Sequence, residues 1–164
     1  MTFKFLSKNF YISFSIVALI YFLDRLTKIF VIQLDKNSFG SDIFSSTYLN
    51  IILIWNKGIA FGLLSFNEAY LYNILSLIIS IIVIILVIMS LKSEGFKRYS
   101  LLMIVGGALG NLHDRIFFNA VPDFIDFHVG DLHWFIFNPA DIFISIGVIC
   151  LILVEFFSKN KKDV

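Results

Sequence analysis

Four apolar stretches, each long enough to cross a lipid bilayer as a helix, dominate this sequence. A transmembrane helix needs about 20 mostly apolar residues. The clearest stretch, Ala69 to Leu91, contains no charged residue, and 59% of all 164 residues are hydrophobic while only 15% are charged. Soluble domains carry about 25% charged residues. We therefore predict an all-α membrane protein with a single domain, residues 1–164, and four transmembrane helices at about 10–32, 69–91, 99–118 and 135–157.

Lysine and arginine are concentrated on one side of this predicted bundle. They lie before the first span, between the second and third, and after the fourth: Lys4, Lys8, Lys92, Lys97, Arg98, Lys159, Lys161 and Lys162. Because cytoplasmic loops carry the excess of basic residues, we predict that both termini face the cytoplasm. The net charge of +1 is too small to indicate nucleic-acid binding, and the single cysteine, Cys150, excludes an internal disulfide framework.

The connector from Gln33 to Glu68 is long and contains a run of β-branched and aromatic residues, Tyr48 to Trp55. Such runs favour strands. We predict a small β-structure in this connector, on the outer face of the membrane.

Ionisable residues lie inside or beside the predicted spans, where each costs roughly 2.5–3.5 kcal/mol at a helix centre. The predicted topology puts them all in the outer half of the membrane or in the outer connector: Asp24, Arg25, Lys28, Asp114, Arg115, Asp141, Asp123 and Asp126. One polar site explains this one-sided distribution better than independent occurrences. An ion-coupled transporter would be expected to place polar residues in both halves, and a non-catalytic scaffold would use the pairs only structurally.

Residue spacing supports convergence of these groups. Asp24 and Lys28 share a helical face, as do Asn111, Asp114 and Arg115. Gly106 and Gly110 form a small-xxx-small pair that permits close helix approach. The acid–base pairs could equally hold helices together, and Asn138 with Asp141 could cap a helix that begins at Pro139.

The three histidines, His113, His128 and His133, lack a tight ligand spacing. We therefore expect no metal site, and two carboxylates with a water need no cofactor.

Five motifs, in order along nearly the whole chain, resemble those of the bacterial lipoprotein signal peptidases (signal peptidase II, aspartic peptidase family A8). They cover residues 24–28, 56–61, 106–115, 121–126 and 137–141. Pro122 and Ile142 depart from the usual residues at their positions.

The resemblance implies an aspartic endopeptidase of the bacterial inner membrane, with its active site near the outer face. It would hydrolyse the peptide bond before a diacylglyceryl-modified cysteine of a prolipoprotein. It further implies contact with membrane lipids, sensitivity to globomycin, and an extracytoplasmic β-cradle with a short surface helix in the Gln33–Glu68 connector. The matching residues are the catalytic Asp123 and Asp141 and the surrounding Asp24, Asn56, Asn111, Asp114, Arg115, Asn138 and Ala140.

Two carboxylates held about 3 Å apart cannot both ionise, so they share one proton. A helix amino terminus stabilises a carboxylate. We therefore expect Asp141 to be the ionised partner at rest.

Overall fold

The computed structural model describes residues 8–37, 42–58 and 69–160. In these parts of the chain four α-helices occur: α1 (Lys8–Asp35), α2 (Ala69–Lys92), α3 (Gly95–Phe118) and α4 (Pro139–Asn160). Three of them, α2, α3 and α4, have the length and apolar composition needed to cross a membrane. The 28-residue α1 carries Asp24, Arg25 and Lys28 in its second half.

Helix α3 is the centre of the bundle and packs against the other three helices. Of its apolar span 56% is buried within the protein, against 11% for the spans of α2 and α4. A helix that exposes a large apolar surface is stable in lipid, so α2 and α4 present their side chains outward while α3 contacts protein on most sides.

Glycines on α3 allow α1 to approach closely, as the small-xxx-small spacing predicts. A methyl group at Gly106 would lie 2.9 Å from Cβ of Ile20, and one at Gly110 would lie 2.5 Å from Oδ2 of Asp24. Ile20 and Asp24 are four residues apart, on one face of α1. The second contact places the Asp24 carboxylate directly against the α3 backbone.

A four-stranded antiparallel sheet lies at one end of the bundle. Its strands are β1 (Phe44–Ser45), β2 (Leu49–Asn56), β3 (Val121–Val129) and β4 (Leu132–Phe137), in that spatial order. Strand β2 confirms the strand expected over Tyr48 to Trp55. The α1–α2 and α3–α4 connectors supply two strands each, so both connectors lie at the same end of the helices.

The segment Asn119–His133, which lies between the predicted third and fourth spans, contributes most of a β-hairpin. Val129 pairs with Leu132, and Gly130 between them has φ +58°, the left-handed conformation that a two-residue hairpin loop requires. The fourth helix consequently begins at Pro139 and not near Phe135, because residues up to Phe137 are held in the ladder with β3. The sheet also extends beyond the Gln33–Glu68 connector in which we expected it.

The short surface helix implied by the resemblance is absent from the described parts of that connector after α1. Its other parts, residues 38–41 and 59–68, lie outside the described residues.

Candidate active site

The two aspartates proposed as catalytic are brought together by the junction between the sheet and α4. Asp123 lies on β3, and Asp141 lies in the first turn of α4, after β4. Asn138 joins them: its Nδ2 donates to Oδ1 of Asp123 at 2.6 Å, and its backbone N–H donates to Oδ2 of Asp141 at 3.1 Å. Asn138 is completely buried, so the junction that aligns the two carboxylates is shielded from solvent.

Asn138 also caps α4. Its Oδ1 accepts a hydrogen bond from the backbone N–H of Asp141 at 3.2 Å. The backbone N–H of Asn138 in turn donates to the Asp141 carboxylate. This reciprocal pair has the geometry of a capping box, with Pro139 at the first helical position. The cap expected from the sequence therefore exists, and it fixes the rotamer of Asp141 at the positive end of the helix dipole.

Asp123 is 4% exposed and receives a second amide. Nδ2 of Asn56, the last residue of β2, donates to its Oδ2 at 2.8 Å, and Oδ1 of Asn56 accepts the N–H of Gly58 at 2.8 Å. Burial, followed by the nearby negative charge of Asp141, raises the pKa of Asp123 to about 6, against the lowering effect of the two asparagine amides. Asp123 can thus keep a proton at a pH where an ordinary aspartate is ionised.

Asp141 is held from the opposite side by α3. Nδ2 of Asn111 donates to Oδ1 of Asp141 at 2.8 Å. Oδ1 of Asn111 in turn accepts from Nζ of Lys28 at 2.8 Å. An ammonium group can only donate, so Lys28 determines which end of the Asn111 amide faces Asp141.

Behind this amide lies a buried four-charge cluster, made of Asp24, Arg25, Lys28 and Asp114. The Arg25 guanidinium forms a two-pronged pair with Asp114, with distances of 2.5 and 2.6 Å, and Lys28 lies 2.7 Å from Asp114 and 2.9 Å from Asp24. Two cations and two anions balance, and each charge has a partner, which offsets the cost of burying it. The cluster joins α1 to α3.

The same cluster reaches the start of α4. Oδ1 of Asp24 accepts the backbone N–H of Ala140 at 3.1 Å. Ala140 is completely buried, with its carbonyl close to Gly107 of α3. A residue without a side chain is required at Gly107, because a Cβ there would overlap the Ala140 carbonyl oxygen.

Arg115 connects α3 to the segment after β2. Its Nη2 donates to the carbonyl of Gly58 at 2.9 Å and its Nη1 to the carbonyl of Asn111 at 3.1 Å. The N–H of Gly58 donates to Oδ1 of Asn56. By holding Gly58, Arg115 therefore also helps to fix the Asn56 amide that donates to Asp123. A guanidinium keeps its charge at any physiological pH and so acts as a fixed support.

The structure thus brings into one network every residue that the sequence assigned to the site: Asp24, Asn56, Asn111, Asp114, Arg115, Asp123, Asn138, Ala140 and Asp141. Arg25 and Lys28 were recognised as charges within the first span but not as members of the site. Their place in the site could have been inferred from the sequence. Lys28 follows Asp24 by one helical turn, and a lysine within a membrane span needs an acidic partner.

Asp126 lies outside this network. It is three residues after Asp123, and side chains alternate along a strand, so the two carboxylates point to opposite faces of β3. Oδ2 of Asp126 lies 2.8 Å from Nδ1 of His133, and the rings of His133 and His128 stack with centroids 5.0 Å apart. His113, the third histidine, lies on α3 beside Tyr21.

Sequence comparison identifies the protein family to which this chain belongs. Residues 16–157 match a family model described as signal peptidase (SPase) II. The chain belongs to the signal peptidase II family. A lipoprotein signal peptidase of Pelagibacter ubique is 49% identical over 155 residues, which cover 94% of this chain and 93% of the relative. One of Anaplasma phagocytophilum is 41% identical over 144 residues, 86% of this chain and 89% of the relative.

Solved structures agree with the signal peptidase II assignment. A bacterial membrane enzyme solved by the in meso method at 2.3 Å resolution superposes with a TM-score of 0.74 and 30% identity, covering 92% of this chain and 90% of its own. A second, solved at 1.9 Å, gives a TM-score of 0.68. As a member of the signal peptidase II family, the chain is a membrane protease of lipoprotein processing, which favours the protease over the transporter and the scaffold.

Proposed function

We propose that this protein removes signal peptides from prolipoproteins by hydrolysing the peptide bond before a diacylglyceryl-modified cysteine, with Asp123 and Asp141 as the catalytic pair. The observation that carries the proposal is the amide frame around the two carboxylates. Asn56 and Asn138 hold Asp123, while Asn111 and the backbone of Asn138 hold Asp141.

This frame suits general acid–base chemistry. Peptide hydrolysis needs a base for the attacking water and an acid for the scissile carbonyl and the leaving amine. A pair of carboxylates that shares one proton supplies both. Amide donors do not change protonation themselves, so they orient the aspartates without competing for that proton.

At rest Asp141 is the ionised member of the pair. Its carboxylate accepts a backbone N–H at the amino end of α4, where the helix dipole stabilises negative charge. The raised pKa of Asp123, about 6, makes that residue the holder of the shared proton. Because the two groups interact, the proton is lost by the pair as a unit.

In a catalytic cycle the water oxygen attacks the carbonyl carbon. The ionised carboxylate takes a proton from that water at the same time. The protonated carboxyl donates to the carbonyl oxygen as negative charge develops there. Collapse of the tetrahedral intermediate breaks the C–N bond, and the amine of the cysteine leaves with a proton from the pair. One water is consumed and the shared proton is restored, so no cofactor is needed.

The protein lies in the bacterial inner membrane with four spans, α1 included, and with both termini in the cytoplasm. Basic side chains at the end of the bundle opposite the sheet support this orientation, because cytoplasmic loops carry the excess of basic residues. Arg98 donates there to the carbonyl of Asn9, near the start of α1. Lys97 pairs there with Glu155 of α4. The sheet then lies on the outer face, where exposed Trp55 and Trp134 suit the headgroup region.

This position of the site fits a lipid-modified substrate. The acyl chains of the cysteine remain among membrane lipids beside the apolar helices, while the scissile bond reaches water near the sheet. We expect globomycin to inhibit the enzyme, as the family resemblance implies.

Cleavage of a diacylglyceryl-modified prolipoprotein by purified protein in detergent tests the proposal, with mobility on a gel as the readout. We compare wild type with Asp123→Asn and Asp141→Asn. The matched control is Asp131→Asn, which removes an exposed carboxylate at the tip of the same hairpin. We expect cleavage by wild type and Asp131→Asn only, with globomycin abolishing both.

Each other result has a defined meaning. Cleavage at the wild-type rate by either dyad variant refutes the catalytic pair. Cleavage of the unmodified precursor at the same rate as the lipid-modified one refutes the assigned substrate, while leaving the pair intact.

A further inference from the structure

A second cluster of functional side chains lies on the face of the β3–β4 hairpin opposite Asp123. It consists of Asp126 and His128 on β3 and His133 on β4. One ligand atom from each residue lies within 4.8 Å of the other two. The catalytic network described above does not use any of the three.

The hairpin register explains why they converge. Asp126 and His128 are two residues apart, so their side chains leave the same face of β3. His128 and His133 are cross-strand partners, which brings their rings together on that face, 5.0 Å apart. An irregularity in the ladder between Asp126 and His128 places one additional residue in β4, which lets His133 reach back to Asp126.

One member of the cluster has an unused ligand atom. Nδ1 of His128 is buried and has no hydrogen-bond partner among the described residues. A buried polar nitrogen without a partner is costly, and native structures seldom leave one without a reason. Asp126 is 1% exposed, whereas the side chain of His133 is 52% exposed. The cluster is therefore buried at Asp126 and accessible to solvent at His133.

We propose that Asp126, His128 and His133 form a binding site for a divalent transition-metal ion of the Zn²⁺ type. Two imidazoles and one carboxylate are a ligand set that such ions prefer, and three protein ligands leave a fourth position for water. Bonds of about 2.0–2.2 Å in a tetrahedron need ligand atoms about 3.4 Å apart, which small side-chain rotations reach from the present spacing.

The ion would tie β3 to β4 on the outer face of the sheet. Asn50 of β2 supports the site, because its Nδ2 lies 3.4 Å from Oδ2 of Asp126. The Asp126–His133 contact closes part of the cluster. Metal binding replaces that contact with bonds from the three side chains to the ion.

Equilibrium dialysis of full-length, tag-free protein in detergent against ZnCl₂ tests this site, with metal content measured by mass spectrometry. We compare wild type with His128→Gln and His133→Gln. The matched control is His113→Gln, which removes an imidazole on α3 outside the cluster. We expect one Zn²⁺ per wild-type chain, binding weakened about tenfold or more in the two cluster variants, and unchanged binding in the control.

A second measurement does not depend on the folding of any variant. Cobalt(II) added to wild type should give the ligand-field absorption of a four-coordinate ion, and Zn²⁺ should displace it while Mg²⁺ should not. Absence of saturable Zn²⁺ binding, equal binding by His128→Gln, or a six-coordinate cobalt spectrum would each overturn the site. Because binding is measured without substrate, these results are independent of the proposed peptidase activity.

Discussion

Nζ of Lys28 lies 2.8 Å from Oδ1 of Asn111, across the interface of α1 and α3. This contact links a buried cation of α1 to the proposed active site, although it touches neither Asp123 nor Asp141. The lysine fixes the Asn111 amide with its NH₂ group toward Asp141. The buried charges of α1 therefore support both the helix packing and the orientation of Asp141.

Lys28→Met should consequently impair stability and catalysis together. The substitution removes one cation from a balanced buried cluster and leaves Asp24 and Asp114 with Arg25 alone, which we expect to cost about 3–5 kcal/mol of unfolding free energy. The freed Asn111 amide can rotate, so kcat should fall more than KM rises. Thermal unfolding in detergent and steady-state cleavage measure the two effects.

Lys97→Met is the control for that variant. Lys97 pairs with Glu155, but their side chains are 40% and 56% exposed. Exposed pairs contribute at most about 1 kcal/mol. Equal destabilisation by the two lysine variants would show that the buried cluster has no special role.

Asn138 should be intolerant of change for two separable reasons. Asn138→Ala removes the α4 cap and the amide that reaches Asp123, so we expect a loss of about 1–2 kcal/mol of stability together with a large fall in kcat. Asn138→Ser retains a capping oxygen but removes the amide that reaches Asp123. This variant should keep most of the stability and still lose activity.

Thermal unfolding and cleavage assays distinguish these outcomes. If Asn138→Ser cleaves at the wild-type rate, the Asn138 amide is not needed at Asp123, and its role is restricted to the helix cap.

Much of this arrangement follows from the sequence, because the determinants are local. Ala69 to Leu91 is mostly apolar, contains no charged residue and is long enough to span a bilayer as a helix. Tyr48 to Trp55 has strand composition, and Pro139 at the first helical position with Asn138 before it indicates a helix start. The α2 helix and strand β2 form within a residue or two of their expected places, whereas α4 begins at Pro139, four residues after the predicted start of the fourth span.

The β3–β4 hairpin was missed because its pattern depends on the partner strand. Val121 to Val129 mixes polar and apolar residues, and its most polar members, Asp123 and Asp126, are buried by the amides and the imidazole that meet them. Hydrophobic periodicity in a sequence indicates side chains that are buried against apolar surface. It does not indicate polar side chains that are buried against a polar partner. The convergence of His128 with His133 depends on the same long-range register.

Two glycines on α3 should respond differently to the same added methyl group. Gly106→Ala would press on the Ile20 side chain and Gly110→Ala on the Asp24 carboxylate. Both should lose about 1–3 kcal/mol through overpacking. Only Gly110→Ala should also lower kcat, since Asp24 holds the N–H of Ala140 at the start of α4.

Cleavage assays at a temperature where both glycine variants are folded check this difference. A matching fall in kcat for Gly106→Ala would mean that helix separation alone disturbs the dyad, and that the Asp24 contact has no separate effect.

The raised pKa of Asp123 predicts how stability changes with pH. Its pKa is 3.8 in the unfolded chain and about 6 in the folded protein, so the folded state binds more protons between these values. The stabilisation by the proton is complete below about pH 4 and is lost as the pH rises through about 6. Ionisation of Asp123 thus lowers the unfolding free energy by at most about 3 kcal/mol.

The difference in melting temperature between wild type and Asp123→Asn reports the titration of the pair, because the titrating groups outside the pair are common to both proteins. Asparagine does not titrate, so wild type should lose stability relative to the variant as the pH is raised from 4.5 to 7.5, values that bracket a pKa of about 6. Any constant offset from altered hydrogen bonds to Asn56 and Asn138 cancels in the slope. A difference that is independent of pH, or that changes in the opposite direction, would mean that Asp123 does not hold the shared proton of the dyad.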